Sequence, residues 1–559
     1  MATKIFVNLP RRSFLSRLGG FAAATAVSMT PFASLLCPGD SKAAASERES
    51  TSDRRTRAFR IRRDAARFHR QAPWPLHQSN GDENRYPNKI ASYSKGMPHN
   101  DRGEVDIDAY ASLLRALNTG DPDRFEMIPA GCPEPSLQRR LVNPQAGLAF
   151  DLEGADSHEL AIPPAPAFDS AEEAGEIVEN YWMALLRDVP FLEYDTHPLA
   201  QDAADDIDAL SDFRGPKIGG HVTTSTLFRG LTDGDMTGPY LSQFFLLPAP
   251  FGANYIEQKL KTTLSGVDYI TSFADWLAIE NGCRPSHADQ FEPNRRYIIS
   301  GRDLGQWVHV DVLHQAYFTA LLCMLDMGVP HNPGNPYIHS ATQDGFGTFG
   351  APYFATIVPE VATRALKAVW FQKWFVHRRI RPEEFAARIH LTATGQAGDP
   401  IHKDALNSAV LPLIASHNYA LNGNESAYLL PMAYPEGSPL HPAYGAGHAT
   451  VAGACVTILK ALFDEHYVIP NPLVPNADGS AVVPYQGPPL TVGGELNKLA
   501  GNVAMGRNIA GVHWRSDATA SLQLGEAVAL GILRDQHATY NEDFHGFTFT
   551  KFDGNTVTV

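Results

Sequence analysis

The 559-residue sequence predicts a mainly helical protein. Long segments with a broad apolar face alternate with loops rich in proline and glycine, and this pattern is typical of packed helices. No internal repeat is visible. The part of the chain that carries the motifs below contains no clear linker, so one large unit over residues 101–559 fits better than several small domains.

Residues 1–45 have the composition of an export signal. Arg11 and Arg12 precede a mildly apolar, alanine-rich stretch over residues 18–36, and the alanines at 43–45 resemble a cleavage site. Twin arginines before such a weak apolar core predict twin-arginine export, hence a periplasmic or extracellular protein. We expect no stable membrane anchor, because proline and hydroxyl residues interrupt the span.

Residues 46–100 are predicted to form an N-terminal arm. Nine arginines lie between residues 48 and 70, which suits either an arm that joins subunits of a homo-oligomer or a solvated helix face. The net charge of −15 and the pI near 5.8 argue against a nucleic-acid partner.

The first segment with chemical content is residues 361–382, where aromatic and aliphatic residues predict a buried helical face. Lys373 and His377 are four residues apart and would share that face, with Arg381 another turn along before Pro382. Two buried cations are costly unless an anion meets them. The alternative is a pair of side chains that extend to solvent at a helix end.

The second segment, residues 438–460, is a proline- and glycine-rich turn that enters an apolar helix. The amides of Ala446, Gly447 and His448 would lie at the helix N-terminus, where partial positive charge favours an anion. Gly447 has no side chain and allows close approach of a ligand. A glycine-rich helix entry with incidental histidines is the alternative.

The third segment places Arg507 and His513 six residues apart, on different faces of any unbroken helix. Gly511 between them indicates a loop that turns both inward. Asp517, four residues after His513, is spaced to accept the Nδ1 proton and leave Nε2 free as a nucleophile or metal ligand. A surface position for Asp517 is the alternative.

Together, these segments resemble the vanadium-dependent haloperoxidases, which share a site plan with phosphatidate-type and bacterial acid phosphatases. The matching motifs are Lys373-x7-Arg381-Pro382, Tyr444-Gly-Ala-Gly-His448 and Gly506-Arg507-x5-His513-x3-Asp517. The resemblance covers most of residues 100–545. It implies two helical bundles, with the site at one end of the second, and a catalytic domain over residues 101–559.

The resemblance also implies vanadate as cofactor and a role for each matched residue. His513 Nε2 would be the metal ligand, and His448 would move a proton as hydrogen peroxide enters. Lys373 would polarise the peroxide for attack by halide, and hypohalous acid would then halogenate small organic acceptors. The implied cofactor-binding residues are Lys373, Arg381, Gly447, His448, Arg507 and His513.

Three residues, His441, Trp370 and Asp311, bear on catalysis or on the choice of halide. His441 and the Lys-x7-Arg spacing resemble the bromoperoxidase branch, which implies bromide or iodide, with chloride at low pH. Trp370 is either a wall of the halide pocket or a plain core residue. Asp311 resembles the family carboxylate that pairs with the motif arginine, here Arg507, and Asp303 competes for that role.

One departure from the family pattern is Ala446, which stands where a serine is usual. The missing hydroxyl removes one hydrogen bond to the oxyanion, worth about 1.5–3 kcal/mol. We therefore expect weaker vanadate binding. An acid phosphatase with His513 as nucleophile is the alternative enzyme, and a non-catalytic oxyanion-binding protein is the alternative of another class.

The cysteines after the signal show no metal spacing. Cys323 and Cys455 lie in apolar helical runs and are predicted to be buried thiols. An exported protein could pair some of its cysteines in disulfides, and the sequence leaves the pairing open.

Overall fold

The computed structural model describes residues 50–423 and 425–559, so the predicted export signal lies outside the described residues. Within these ranges the protein folds into sixteen α-helices and three short β-hairpins. The helices are α1 (Thr51–Gln71), α2 (Asp82–Arg85), α3 (Ile107–Thr119), α4 (Pro122–Glu126), α5 (Ala171–Leu185), α6 (Pro198–Asp208), α7 (Phe273–Glu280), α8 (Gly301–Val310), α9 (Gln315–Asp326), α10 (Ala351–Phe371), α11 (Pro382–Ala393), α12 (Lys403–Asn407), α13 (Val410–Asn422), α14 (Gly447–Leu462), α15 (Val492–Ile509) and α16 (Arg515–His537).

The strands form antiparallel pairs, which are β1 (Ala249–Phe251) with β2 (Asn254–Ile256), β3 (Leu473–Pro475) with β4 (Val482–Pro484), and β5 (Thr548–Thr550) with β6 (Thr556–Thr558). The middle residues pair as Pro250 with Tyr255, Val474 with Val483, and Phe549 with Val557. Each hairpin is three residues deep and packs at the edge of the helical body, so the predicted helical class is confirmed.

The helices form two groups. In one group α5 packs against α6, α11, α12 and α13, and in the other α14 packs against α9, α10, α15 and α16. Every residue of α14 except His448 is buried, as expected for a helix that is apolar on all sides. Gly453 of α14 and Gly525 of α16 allow close contact, since a Cβ at either position would lie within 2.1 Å of the opposite backbone.

Four helix termini of the second group meet at one end. At this end α10 and α15 finish, while α14 and α16 begin. Hydrogen bonds join the segments that connect these helices. Lys373 Nζ donates to the carbonyl of Ala443, and Arg381 Nη1 donates to the carbonyl of Val512. The predicted location of the site, at one end of the second bundle, agrees with this arrangement.

The prediction of one helix running through Lys373 to Arg381 is wrong. A π-helical turn, Gln372–His377, follows α10, and Arg378 then takes a left-handed backbone conformation with φ of 44°. The extended segment begins after Arg378, whose carbonyl accepts from the Tyr93 amide at 2.8 Å, and Arg379 forms an antiparallel bridge with Ser92. Pro382 starts α11 instead of ending the earlier helix, which suits its fixed φ and missing N–H.

The arginine-rich segment forms α1, a helix with no buried residue. This exposure fits the interpretation as a solvated helix face, and the oligomer arm stays a prediction. The helix is held to the body at its C-terminal end, where His69 Nδ1 lies 2.8 Å from the Glu159 carboxylate.

The prediction of buried thiols at Cys323 and Cys455 is confirmed, and the disulfide state that the sequence left open is resolved. Cys132 and Cys283 form a disulfide across 151 residues of sequence, and Cys323 and Cys455 are buried free thiols.

Among residues 50–423 and 425–559, no single helix is long and apolar enough to cross a membrane. The pair α8 and α9, bent by 101° at its break, meets the length and composition requirement together.

Candidate active site

The predicted site residues surround a cavity of about 630 Å³ at the meeting point of the four helix termini. Side chains or backbone from all three sequence motifs line it. The lining residues from the motifs are Trp370, His441, Gly447, His448, Arg507 and His513. Lys373 and Arg381 lie directly behind this wall and are fully buried.

Lys373 and Arg381 donate hydrogen bonds to neutral groups. Lys373 Nζ donates to the carbonyls of Pro442 and Ala443, both at 2.8 Å. Arg381 donates to the carbonyl of His441 through Nε (2.9 Å) and to that of Val512 through Nη1 (2.6 Å). The two cations therefore fasten the turn at residues 441–443 to the loop before α16.

Arg507, in the last turn of α15, is also buried. Its Nη1 donates to the carbonyl of Val308 (2.8 Å), and its guanidinium lies 5.5 Å from the ring centre of Tyr434. Its Nε is buried and has no hydrogen-bond partner among the described residues. A buried N–H without an acceptor costs about 1–3 kcal/mol, so this donor is suited to a ligand oxygen.

The three cations share one electrostatic feature. In the described part of the chain, no carboxylate lies within 4.0 Å of Lys373, Arg381 or Arg507. Burial, with the other two cations adding to it, holds the pKa of Lys373 well below its usual range. Burial likewise lowers the pKa of Arg381 to about 10. An anion in the cavity would relieve this concentration of positive charge.

His513 is oriented by a buried carboxylate, as predicted. Its Nδ1 lies 2.7 Å from Asp517 Oδ2, which also accepts the Trp514 amide at 3.2 Å. Asp517 is fully buried, so the surface alternative is wrong. With the Nδ1 proton held by Asp517, Nε2 carries the lone pair. Burial, followed by the repulsion of the nearby cations, keeps the pKa of His513 well below its usual range and the ring neutral.

His441 lies beside Arg381 and Trp370. Its Nδ1 accepts from Arg381 Nη2 at 2.8 Å, and its ring centre is 4.8 Å from that of Trp370. Burial, together with Lys373 and Arg381, lowers the pKa of His441 far below its usual range. The residue is thus a neutral acceptor toward Arg381 and part of the cavity wall.

His448 and Asp311 form a pair at the cavity mouth. His448 Nε2 lies 3.0 Å from Asp311 Oδ1, and the imidazole is partly exposed. The expected pairing of Asp311 with Arg507 is therefore wrong, because Asp311, at the C-terminus of α8, faces the first turn of α14. Asp303 does not pair with Arg507 either, since it binds Arg296.

The entry to α14 supplies backbone amides, with one correction. Gly447 and His448 are the first two helical residues, whose amides have no acceptor within the helix. The Ala446 amide was predicted to join them but donates to Ser521 Oγ at 2.7 Å. A Cβ on Gly447 would lie 3.3 Å from the Trp370 ring, so a side chain here would crowd the cavity.

Trp370 forms one wall of the cavity and is therefore more than a plain core residue. Its indole N–H donates to the carbonyl of Val142 at 3.1 Å, which fixes the ring plane. Lys373 Nζ lies 5.8 Å from the ring centre.

Sequence reasoning missed two supporting features. Arg379 donates to Asp517 Oδ1 at 2.9 Å and to carboxylates on α5, although in sequence it is one more arginine in a basic run. Tyr434 lies beneath Arg507 and stacks on His309, with ring centres 3.8 Å apart. No sequence signal separates these residues from other buried arginines and tyrosines, because their contacts arise between distant segments.

Comparisons with known proteins agree with this geometry. Residues 361–541 match the model of the VCPO second helical-bundle domain. The chain is 38% identical to the vanadium-dependent bromoperoxidase of Corallina pilulifera, over 87% of this chain and 93% of the relative. It is 35% identical to that of Ascophyllum nodosum, over 90% and 92%. The homohexameric structure of the second vanadate-dependent bromoperoxidase from Ascophyllum nodosum superposes with a TM-score of 0.88 at 30% identity, covering 94% of each chain.

Proposed function

The chain belongs to the vanadium-dependent bromoperoxidase family, and from this premise we propose that it oxidises halide with hydrogen peroxide to hypohalous acid. Bromide and iodide are the proposed halides, and small organic molecules are the proposed acceptors. The observation that carries the proposal is the convergence of three buried cations, which have no carboxylate partner among the described residues, on His513 Nε2, a lone-pair atom that lies 3.1 Å from Arg381 Nη1. The acid phosphatase and the oxyanion-binding protein are not favoured by these relatives.

The donor set fits vanadate. Lys373, Arg381 and Arg507 offer three positive charges, and the buried Nε of Arg507 has no hydrogen-bond partner among the described residues. The described residues contain no group of three or more histidine, cysteine or carboxylate side chains spaced to hold a bare metal ion. An oxyanion therefore suits the cavity better than a divalent cation. The residues that would hold it are Lys373, Arg381, Gly447, His448, Arg507 and His513.

Bound vanadate would supply a Lewis acid that activates hydrogen peroxide toward halide without a change of oxidation state. The protein residues support that chemistry in separate ways. Asp517 holds the Nδ1 proton of His513, so that Nε2 can act as a ligand. Arg381 and Arg507 hold negative charge in a buried environment. His448, which pairs with Asp311 at the cavity mouth, would take a proton from incoming peroxide.

The deciding experiment is a halogenation assay on apo-protein with and without orthovanadate, at several bromide concentrations. We expect bromination of a colorimetric acceptor only after vanadate addition, and competition by phosphate. His513→Ala is the matched control and should stay inactive with vanadate. Activity restored by iron or copper instead would contradict the proposal, and phosphate-ester hydrolysis without halogenation would favour the phosphatase.

We also propose export through the twin-arginine signal at residues 1–45. The Cys132–Cys283 disulfide supports this location, because disulfides persist in oxidising compartments. Substitution of lysine for both Arg11 and Arg12 should retain the folded protein in the cytoplasm. Cell fractionation followed by immunoblotting measures the change, and unchanged export of the variant would contradict the proposal.

A homo-oligomer is proposed from the homohexameric relative, and the exposed helix α1 is a suitable subunit contact. Light scattering after size-exclusion chromatography should give a mass several times 61.0 kDa. A monomer at micromolar concentration would contradict it.

A further inference from the structure

Three arginines form a basic surface beside the active-site cavity. Arg139, Arg140 and Arg284 line one surface cavity of about 800 Å³. No carboxylate of the described residues lies within 4.0 Å of any of the three guanidinium groups. The side chains of Arg140 and Arg284 are exposed and make no hydrogen bond to the described protein.

The backbone around these arginines is firmly held. Gln138 and Cys283 form an antiparallel bridge, with the Arg139 amide donating to Gly282 and the Arg284 amide to Leu137, both at 2.8 Å. The Cys132–Cys283 disulfide adds a covalent link between the same two segments. Because the two strands are fixed to each other, the three guanidinium groups stay on one surface.

This surface is continuous with the active site. Arg139 lines the surface cavity, a neighbouring cavity of about 490 Å³ and the active-site cavity itself. Asn143 also lines both the neighbouring and the active-site cavities. Arg139 Nη1 donates to the carbonyl of Glu436, a residue of the active-site wall, at 3.0 Å. The basic surface therefore leads along one wall toward Arg507.

We propose that Arg139, Arg140 and Arg284 form an entry site for small anions, which collects halide from solvent and directs it to the active-site cavity. The same route serves orthovanadate. A cleft in which one sign of charge predominates concentrates counter-ions and raises association rates by 10-fold or more. The three arginines face two carboxylates along the route, those of Glu126 in the neighbouring cavity and Glu436 in the active-site cavity. The identification of halide as the anion rests on the proposed function. The existence of an anion route rests on the geometry alone.

The alternative is a structural role, and the contacts argue against it. Arg140 and Arg284 bind no carboxylate and no carbonyl of the described residues, so their removal leaves no partner without a bond. Their shared property is charge near the cavity entrance.

The test compares Arg140→Gln/Arg284→Gln with a control of equal charge change, Arg295→Gln/Lys403→Gln, whose residues are exposed and line none of the three cavities. At about 20 mM ionic strength, kcat/KM for bromide should fall three- to tenfold in the first variant and remain near wild type in the control. kcat/KM for uncharged hydrogen peroxide should not change. At about 0.5 M salt the bromide difference should disappear, because the charges are screened.

A second measurement needs no turnover: the rate at which apo-protein takes up orthovanadate, followed as bound vanadium after rapid desalting. It should fall in the first variant only. Bromide kcat/KM within twofold of wild type at low salt, or an equal loss in the control, would overturn the entry site. An inactive wild-type enzyme with slowed vanadate uptake in the variant would refute the proposed function and leave the anion route supported.

Discussion

Arg379 and Arg381 are two residues apart and equally inaccessible to solvent, yet their surroundings are opposite. Arg379 contacts three carboxylates, those of Glu173, Glu176 and Asp517. The Arg381 guanidinium donates to carbonyls and imidazole nitrogens but to no carboxylate of the described chain; only its backbone amide does so, to Glu384 Oε2 at 2.6 Å. Both lie on the same extended stretch. The difference indicates that Arg379 stabilises the fold through its ion pairs, whereas the Arg381 guanidinium is available to an anionic ligand.

Their pKa values change in opposite directions for this reason. The carboxylates raise the pKa of Arg379 against the effect of burial, whereas burial dominates at Arg381 and lowers its pKa to about 10. Lys373 and Arg507 resemble Arg381 in having no carboxylate partner among the described residues, whereas Arg515 resembles Arg379 because it binds Glu179.

The largest expected effect contrasts Arg379→Met with Arg381→Met. The first removes the partner of buried carboxylates and should lower the free energy of unfolding by about 3–5 kcal/mol. The second should cost less stability, about 1–3 kcal/mol for carbonyls left without a donor, but weaken vanadate binding by 100-fold or more. Urea unfolding of the apo-proteins and vanadate titration measure both. Equal loss of stability in the two variants would break the comparison.

A second prediction separates two histidines at the same cavity. His513→Ala should abolish stable vanadium incorporation, because Nε2 carries the lone pair that would bind vanadium. His448→Ala should retain the oxyanion and lose most turnover, since its imidazole faces Asp311 at the mouth. Vanadium content and bromination rate of both folded variants decide the matter, and equal retention of vanadium would refute the assigned roles.

Asp517→Asn tests whether the ion-pair network of Arg379 acts on the ligand His513, because the Asp517 carboxylate binds both residues. The amide would no longer fix the Nδ1 proton, and vanadate affinity should fall about 10- to 100-fold. Asp311→Asn is the matched control, since it also alters a carboxylate–histidine pair but should leave vanadate affinity near wild type. Titration of the apo-variants gives both constants, and the reverse order of effects would contradict the account.

The smallest expected effect is an increase in helix stability and in vanadate affinity. Ala446 is the N-cap of α14 and makes no side-chain cap, so Ala446→Ser should stabilise the helix by about 1 kcal/mol. The added hydroxyl should also tighten vanadate by up to about 1.5–3 kcal/mol, or roughly 10- to 100-fold. A bridging water would reduce this gain. Activity titrations with orthovanadate measure it, and weaker binding in the serine variant would show that the missing hydroxyl does not limit affinity.

The sequence predicted the helical class. It also predicted the cations and histidines of the site, because these residues occur in short motifs with a recognisable spacing. It did not predict the π-helical turn after α10 or the extended path from Arg378 to Arg381, which depend on pairing with Tyr93. Nor did it predict that Asp311 binds His448 instead of Arg507. These features arise from contacts between distant segments, and residue type and spacing carry little information on such contacts.

The central claim is that the carboxylate-free cations hold an oxyanion, and vanadium stoichiometry tests it most directly. Apo-protein would be dialysed against orthovanadate with and without excess phosphate, and bound vanadium measured by elemental analysis. The account predicts one vanadium per chain, displaced by phosphate and lost in Arg381→Met but retained by the folded fraction of Arg379→Lys. Binding of vanadium that phosphate leaves in place, or equal binding by Arg381→Met, would contradict it.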